Sequence, residues 1–378
     1  MKDEKIIICI VSHFGYYLFN PNKNGYHYGG GAEVQLFLIT TQLLKNKDIE
    51  INVITGKFKD QENIIHKQGV KIFKVLPIKR RFLNYIIGPL HFMLTLIKIK
   101  PDIVIQRSAS VLTGLSALYC NLFKKKFIYS VANNYDVNGK AERGFKGKIY
   151  RYGLNNASCI VAQNNDQIKF FFKHKKRIVP NIIILKSGYQ INEFNKKKKN
   201  FILWVGRAIE WKRPEIFLKL ALLFPEEPFL LVLNKRNNFS YWNKLYKISS
   251  KMPNIKFRES IPFVKIGELF SKAKIFINTS INNEGFPNTF IQAFISKTPV
   301  ISLLVNPDNI LSKYNIGLCC NNNFEQLKRH LTILLEDPTL IKIYSENAFK
   351  YAKKHHDIVS IGNQWLKLIK TILKNRNN

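Results

Sequence analysis

Acidic side chains are scarce in this sequence. Its 378 residues hold 25 Asp+Glu against 60 Lys+Arg, a formal net charge of +35. That imbalance argues against a basic partner and calls for an anionic one: nucleic acid, membrane surface or phosphate. Cysteine is sparse too. Cys9, Cys120, Cys159, Cys319 and Cys320 are odd in number, with no C-x-x-C and no metal-ligand spacing. This excludes a disulfide framework and points to free thiols in a reducing compartment. No apolar run reaches about 18 residues, so no spanning helix is expected. The opening Met1-Lys2-Asp3-Glu4-Lys5 leads into apolar residues 6–11, too short for a signal-peptide core and without a cleavage site, so no leader is expected. No G-x-G-x-x-G is present, which leaves a dinucleotide site unsupported. Internal repeats are absent.

What is present suits a globular chain. Hydrophobic residues are 46% and aromatic residues 13%, ample for a buried core, and the length suggests two domains. Short apolar runs at 5–11, 49–55, 70–75, 103–106, 127–130 and 160–162 read as strands. Segments with helical spacing lie between them, at 32–44, 110–123 and 165–172. Asn195-Lys196-Lys197-Lys198-Lys199-Asn200 then reads as a solvated linker. The alternation restarts with strands at 201–205, 229–233, 255–258, 275–278 and 300–303. Helices are expected at 214–224, 241–250, 288–295 and 324–335, with a helical tail at 338–354 and 358–374. The pattern predicts an α/β chain of two Rossmann-like domains facing across a cleft. Their expected extents are 1–195, with the C-terminal helix of about 358–378 packing back on it, and 200–355.

Three segments have the composition of a site. Gly29-Gly30-Gly31-Ala32-Glu33 opens a helix, where glycines permit close approach and exposed N–H groups favour an anion; a tight turn explains it equally well. Val205-Gly206-Arg207-Ala208-Ile209-Glu210-Trp211-Lys212-Arg213-Pro214 runs from a strand end into a helix. Strand carboxyl ends are where open α/β sheets bind ligands, and two cations there suit a diphosphate. The plain alternative is a solvated basic loop. The third segment runs from Asn278 through Glu284-Gly285-Phe286-Pro287-Asn288 to Gln292. Glu284 precedes a helix and Gln292 lies roughly two turns into it, on the same side. One carboxylate and one amide placed so can grip two hydroxyl-rich parts of one ligand.

Residues 278–303 resemble the donor-binding signature of GT-B glycosyltransferases, specifically the large retaining family 4 (glycosyl transferases group 1). The hallmark is Glu-x7-Glu; here it reads Glu284-Gly285-Phe286-Pro287-Asn288, then Gln292, then Lys297-Thr298-Pro299-Val300. Residues 205–214 resemble the family's Gly-Arg…Lys phosphate-binding stretch, and Gly29–Glu33 its N-terminal loop. Asn306-Pro307-Asp308 and Gly317 resemble a sub-group found in bacterial surface-polysaccharide pathways. The resemblance implies that Arg207 and Lys212 hold the diphosphate and that Glu284 contacts the donor sugar. It implies that Gly285, Phe286 and Asn288, with Pro287 between them, meet sugar or phosphate. Gln292 would bond the ribose, while Gly206, Gly30 and Gly31 would line the phosphate side. The donor implied is UDP- or GDP-linked.

Two departures stand out. Gln292 replaces the usual Glu and forfeits a charge-assisted bond. Asn133, in Val131-Ala132-Asn133-Asn134-Tyr135-Asp136, stands where the family commonly has a His, and Asn cannot shuttle a proton. Asp136 is a candidate acceptor contact alongside Asn133. No Asp-x-Asp occurs, so catalysis by protein cations with neither metal nor cofactor is expected.

Lys79-Arg80-Arg81 precedes the largely apolar residues 82–97, with Lys98 and Lys100 after them. This suits an amphipathic helix on an anionic membrane surface, while its central part reads more simply as a helix packed on the first sheet, and the two are compatible. Lys124-Lys125-Lys126 and the basic stretches at 140–148 and 173–177 add to the charge of this half. The reading is a cytoplasmic transferase, peripheral at the inner face of the cell membrane, acting on a glycan or lipid-linked acceptor. One alternative is a catalytically silent GT-B protein that binds a glycan or a partner transferase. Another is a basic nucleic-acid binder, although no helix-turn-helix, RNP or zinc pattern is present and no nucleic-acid partner is expected. A GT-B sugar-nucleotide epimerase gives the basic half no purpose. Arg207→Ala and Lys212→Ala are each expected to lower turnover about 10²-fold, read as nucleoside diphosphate released. Wild-type rates in both variants remove the assignment.

Overall fold

The computed structural model describes residues 5–21, 29–58, 62–78, 84–174, 181–192, 199–235, 238–281 and 284–374. Of the features above, the basic residues at 79–81 and 175–177, the apolar pair at 82–83 and the lysines at 196–198 lie outside them. The chain divides into two compact units, Met1–Gly188 with Ile358–Asn378, and Tyr189–Asp357. The division falls ahead of the lysine run because Tyr189 belongs with the second unit. Its N–H donates to the His356 carbonyl at 2.8 Å, and it bridges to Asp357.

The first unit is a sheet covered by helices on both faces. In chain order it runs β1 (Ile6–Val11), α1 (Tyr16–Phe19), α2 (Gly31–Leu43), β2 (Ile49–Gly56), β3 (Ile64–Lys67), β4 (Val70–Leu76), α3 (Asn84–Ile99), β5 (Ile103–Arg107), α4 (Val111–Leu122), β6 (Lys126–Ser130), α5 (Gly144–Asn155), β7 (Cys159–Ala162), α6 (Asn165–His174) and β8 (Ile182–Ile184). The strand order is β3-β4-β2-β1-β5-β6-β7-β8. Only β3 is antiparallel, a short hairpin whose turn uses Gln68 and Gly69 at positive φ. β1 is an unbroken apolar run because both its faces are covered. Ile8 and Ile10 join the core beneath α2, while Cys9 and Val11 join the one beneath α3, α4 and α5.

The second unit holds β9 (Phe201–Arg207), α7 (Pro214–Leu222), β10 (Phe229–Asn234), α8 (Phe239–Ser249), β11 (Ile255–Arg258), α9 (Ile266–Ser271), β12 (Ala273–Asn278), α10 (Asn288–Ile295), β13 (Val300–Ser302), α11 (Ile310–Lys313), β14 (Gly317–Cys319), α12 (Phe324–Glu336) and α13 (Pro338–His355). Its sheet is wholly parallel, ordered β11-β10-β9-β12-β13-β14. The chain builds outward from β9 on one side, then returns to lay β12 on the other. That reversal makes a topological switch point between β9 and β12. The chain then rejoins the first unit as α14 (Ile358–Lys374), whose stripe of Ile361, Trp365, Leu368, Ile369 and Ile372 is buried in the α2-side core.

Seven elements were not expected, among them the short helices α1, α9 and α11 of four to six residues. β3, β8 and β14 are three- or four-residue strands, too short to show a period. α5 was hidden in a stretch read as a basic run. It is held by backbone proximity rather than by a wide apolar face. A Cβ on Gly153 would lie 2.6 Å from the Thr113 backbone, and one on Gly114 2.4 Å from the Ile149 carbonyl oxygen. A helical Gly→Ala change ordinarily stabilises by about 1 kcal/mol. Here overpacking of about 1–3 kcal/mol outweighs it, because the obstructing atoms are backbone and cannot rotate away. Gly153→Ala is therefore expected to lower the urea midpoint of the first unit; an unchanged or higher midpoint contradicts the contact.

Candidate functional site

The carboxyl ends of β9 and β12 carry the two strongest motifs. Arg207 is the last residue of β9 and lies beside Asn234 of β10. Among the described residues its guanidinium has neither a hydrogen-bond nor an ion-pair partner. Gly206 before it is obligatory, since a Cβ there would come within 2.6 Å of the Trp204 ring. Beyond Ile209 the chain makes a 3-10 turn, Glu210–Lys212, and then enters α7 through Arg213 in the left-handed region, at φ 48°, and Pro214.

The turn after β9 is tied to the loop after β12 by named contacts. The Trp204 indole donates to Thr279 Oγ1 at 2.9 Å, and that hydroxyl donates to the Lys212 carbonyl at 2.7 Å. Arg213 Nε donates to the Thr279 carbonyl at 2.9 Å and Nη1 to Asn322 Oδ1 at 2.8 Å. Ile281 N–H donates to the Trp211 carbonyl at 2.9 Å. The result is that Lys212 Nζ meets the Glu284 carboxylate in an ion pair, with side chains 13% and 9% exposed. Ser280 Oγ donates to the same carboxylate oxygen at 2.6 Å, and the ammonium lies 4.8 Å from the Trp211 ring centre. Of the neighbouring cations Lys212 and Arg213, both are therefore engaged, and Arg207 is the open one.

Past Glu284 the chain turns through Gly285 and Pro287 into α10, which has no side-chain cap and no acid in its first turn, so its dipole favours an anion. Asn288 begins the helix and is half-buried. The Phe286 ring is packed inward against His356, with centroids 4.7 Å apart, so the ring itself is not presented to a ligand. Gln292 is half-buried, and its amide donates to the Tyr189 hydroxyl at 3.4 Å. At the far end of α10, Lys199 donates to the Ser296 and Lys297 carbonyls and to Thr298 Oγ1. Burial pulls its pKa down to about 8.

The remaining candidates belong to the first unit. Gly30 and Gly31 open α2 as expected, yet the Gly30 N–H is taken by Glu33 Oε2 at 2.7 Å. Asn133 is half-buried at the start of a short 3-10 turn. Asp136 is the clear correction. It is 1% exposed and accepts from the Ala132 N–H at 2.7 Å and from those of Asn133 and Ala109 at 3.4 Å. Burial pushes its pKa up. It anchors the loop after β6 and has no surface to offer an acceptor. Sequence reasoning passed over Trp204, Thr279, Ser280, Arg213 and Tyr189. Thr279 and Ser280 lay inside the motif, but no spacing rule distinguishes a hydroxyl that orients a carboxylate. Among the described residues no cluster of three or more His, Cys, Asp or Glu is placed to hold a metal.

Residues 186–355 match the family Glycosyl transferases group 1. An uncharacterized glycosyltransferase of Methanocaldococcus jannaschii is 24% identical, over 91% of this chain and 94% of its own. Sucrose-phosphate synthase of Thermosynechococcus elongatus has a similar structure, with a TM-score of 0.79 at 15% identity, over 98% of this chain and 100% of that one. So does HepE of Anabaena in complex with UDP-glucose, with a TM-score of 0.75 at 17% identity, over 97% and 100%.

The two cations differ in what their loss should do to folding. Lys212→Met leaves a mostly buried Glu284 without its counter-charge and is expected to destabilise the second unit by about 3 kcal/mol. Arg207→Ala breaks no side-chain hydrogen bond or ion pair among the described residues and is expected to stay within about 0.5 kcal/mol. Chemical denaturation of both variants checks this; equal losses contradict the pairing.

Proposed function

We propose that this protein, a group 1 glycosyltransferase of the GT-B fold, is a retaining enzyme. It moves a sugar from a nucleoside-diphosphate sugar to a hydroxyl of a lipid-linked glycan in surface-polysaccharide synthesis. The observation that carries this reading is the convergence of Lys212 and Glu284 at the β9–β12 switch point, with Arg207, unpaired among the described residues, on the end of β9. Breaking the glycosidic bond leaves positive charge on the sugar ring and negative charge on the departing diphosphate. Arg207 and Lys212 meet the second and Glu284 the first, with no metal in the scheme. Ser280 holds the carboxylate in place before the donor arrives.

Gln292, oriented by Tyr189, bonds the ribose. The donor is UDP- or GDP-linked; the UDP-glucose held by the similar HepE structure favours the former. Asn133 contacts the acceptor without exchanging a proton, so the leaving phosphate takes the acceptor proton on the same face of the sugar. The enzyme works in the cytoplasm at the inner face of the membrane. The two departures, Asn133 and Gln292, favour a second reading, in which the donor binds and is not consumed.

A thermal-shift panel of UDP-, GDP-, ADP- and TDP-sugars tests this. At about 100 times Kd, one nucleotide class is expected to raise the second unit's transition by about 5–10 °C. Arg207→Ala is expected to abolish the shift while keeping the ligand-free transition in place. A flat panel overturns the reading. A shift without nucleoside diphosphate release selects the silent alternative.

A further inference from the structure

The first unit exposes a hydrophobic face that its own fold leaves uncovered. α3, α4 and α5 lie side by side on one face of the sheet, buried through Phe92 and Leu96, Ala117 and Cys120, and Tyr150 and Leu154. Their opposite sides face solvent. On α3, Ile87, Leu90, Leu94 and Ile97 form a stripe at helical spacing, with Leu90 56% and Leu94 53% exposed. On the neighbouring α4, Leu118 and Leu122 are exposed too, as is Phe123 at its end, Leu122 being 65% exposed. Phe145 at the start of α5 is 79% exposed, with Lys146, Lys148 and Arg151 exposed on the same helix. Isolated exposed leucines need no explanation, but a contiguous set across adjacent helices does.

Charge selects the occupant. Residues 84–155 hold 11 Lys and Arg against three acids, Asp102, Asp136 and Glu142. Asp136 is buried and Asp102 pairs with Lys125 at 2.8 Å, so Glu142, half-buried, is the remaining acid. A second copy of a chain with net charge +35 would set like charge against like. Nucleic acid would use the lysines and leave the leucines in water. An anionic bilayer uses both: aliphatic side chains enter the acyl boundary while the bases meet headgroups.

We infer that the outward faces of α3, α4 and α5 form a docking surface for an anionic lipid bilayer. It names the surface behind the membrane placement proposed above and rests on that part of the reading, independently of the sugar chemistry. Entry is shallow, because no helix among the described residues is long and apolar enough to cross a membrane.

Flotation of the full chain with vesicles, without nucleotide sugar, tests the surface. Binding is expected to mixed phosphatidylcholine–phosphatidylglycerol vesicles and to be far weaker to phosphatidylcholine alone. The triple variant Leu90→Ser, Leu94→Ser, Leu122→Ser is expected to weaken binding about 10²-fold. Lys146→Glu, Lys148→Glu, Arg151→Glu should do the same through charge, by about 10²-fold. Both variants should keep the wild-type melting temperature and any donor-induced shift, which separates failure here from failure of the transferase reading. Vesicle binding unaltered in both variants, or equal affinity for neutral vesicles, overturns the inference. So does conversion of an oligomer to monomers by the leucine variant, which identifies a second copy, or competition by DNA that the leucine variant leaves intact.

Discussion

The second unit is organised around one ion pair. Lys212 and Glu284 come from loops after different strands, and neither is well hydrated. A pair this secluded returns little net stability once desolvation is counted, and leaving it half-made is costly. Its geometry therefore has to be held from outside. The Trp204–Thr279–Lys212 hydrogen-bond chain, Arg213 and Ser280 do that holding. Each ties backbone or carboxylate to a strand end whose position the parallel sheet already dictates. Arg207 stands apart from this lattice. Among the described residues its guanidinium has no hydrogen-bond or ion-pair partner at the end of β9.

The first unit spends its charge differently. The outer side of the α3–α5 layer carries exposed bases such as Lys98, Lys146, Lys148 and Arg151, while Lys74 in β4 and Arg107 at the end of β5 are buried. The inner side of the same layer is ordinary core. A helix apolar on nearly all sides, as α3 is, would ordinarily be buried all round. Here one side packs on the sheet and the other does not, which is why composition alone leaves its role open between core helix and membrane helix.

Much of the fold was legible because parallel α/β sheets write themselves locally. Strands buried on both faces are unbroken apolar runs, such as Ile6–Val11 and Phe229–Asn234, and the helices between them carry a clear stripe, as α14 does. The site motifs were legible for a related reason. Gly206, near the end of β9, leaves no room for a side chain beside the Trp204 ring, and Pro287 marks the entry to α10; both constraints act over a few residues. What failed was whatever lacked a period. β8 and β14 are three residues each, and α5 holds three glycines, of which Gly153 lies against the α4 backbone and Gly147 against that of Glu142. Asp136 was misread for a different reason. A carboxylate followed by no helix looks available, and only the enclosing backbone N–H groups reveal that it is occupied.

By itself the sequence determined the class of fold, the strand-end location of the two motifs and the sign of the charge the protein seeks. These depend on side-chain type, spacing and composition, which are properties of neighbours along the chain. Tertiary structure decided that Lys212 closes on Glu284 while Arg207 stays open, that Phe286 turns inward, and that leucines on two separate helices share one exposed face. Those outcomes depend on which distant segments compete for the same volume and the same water, and no local pattern records that competition.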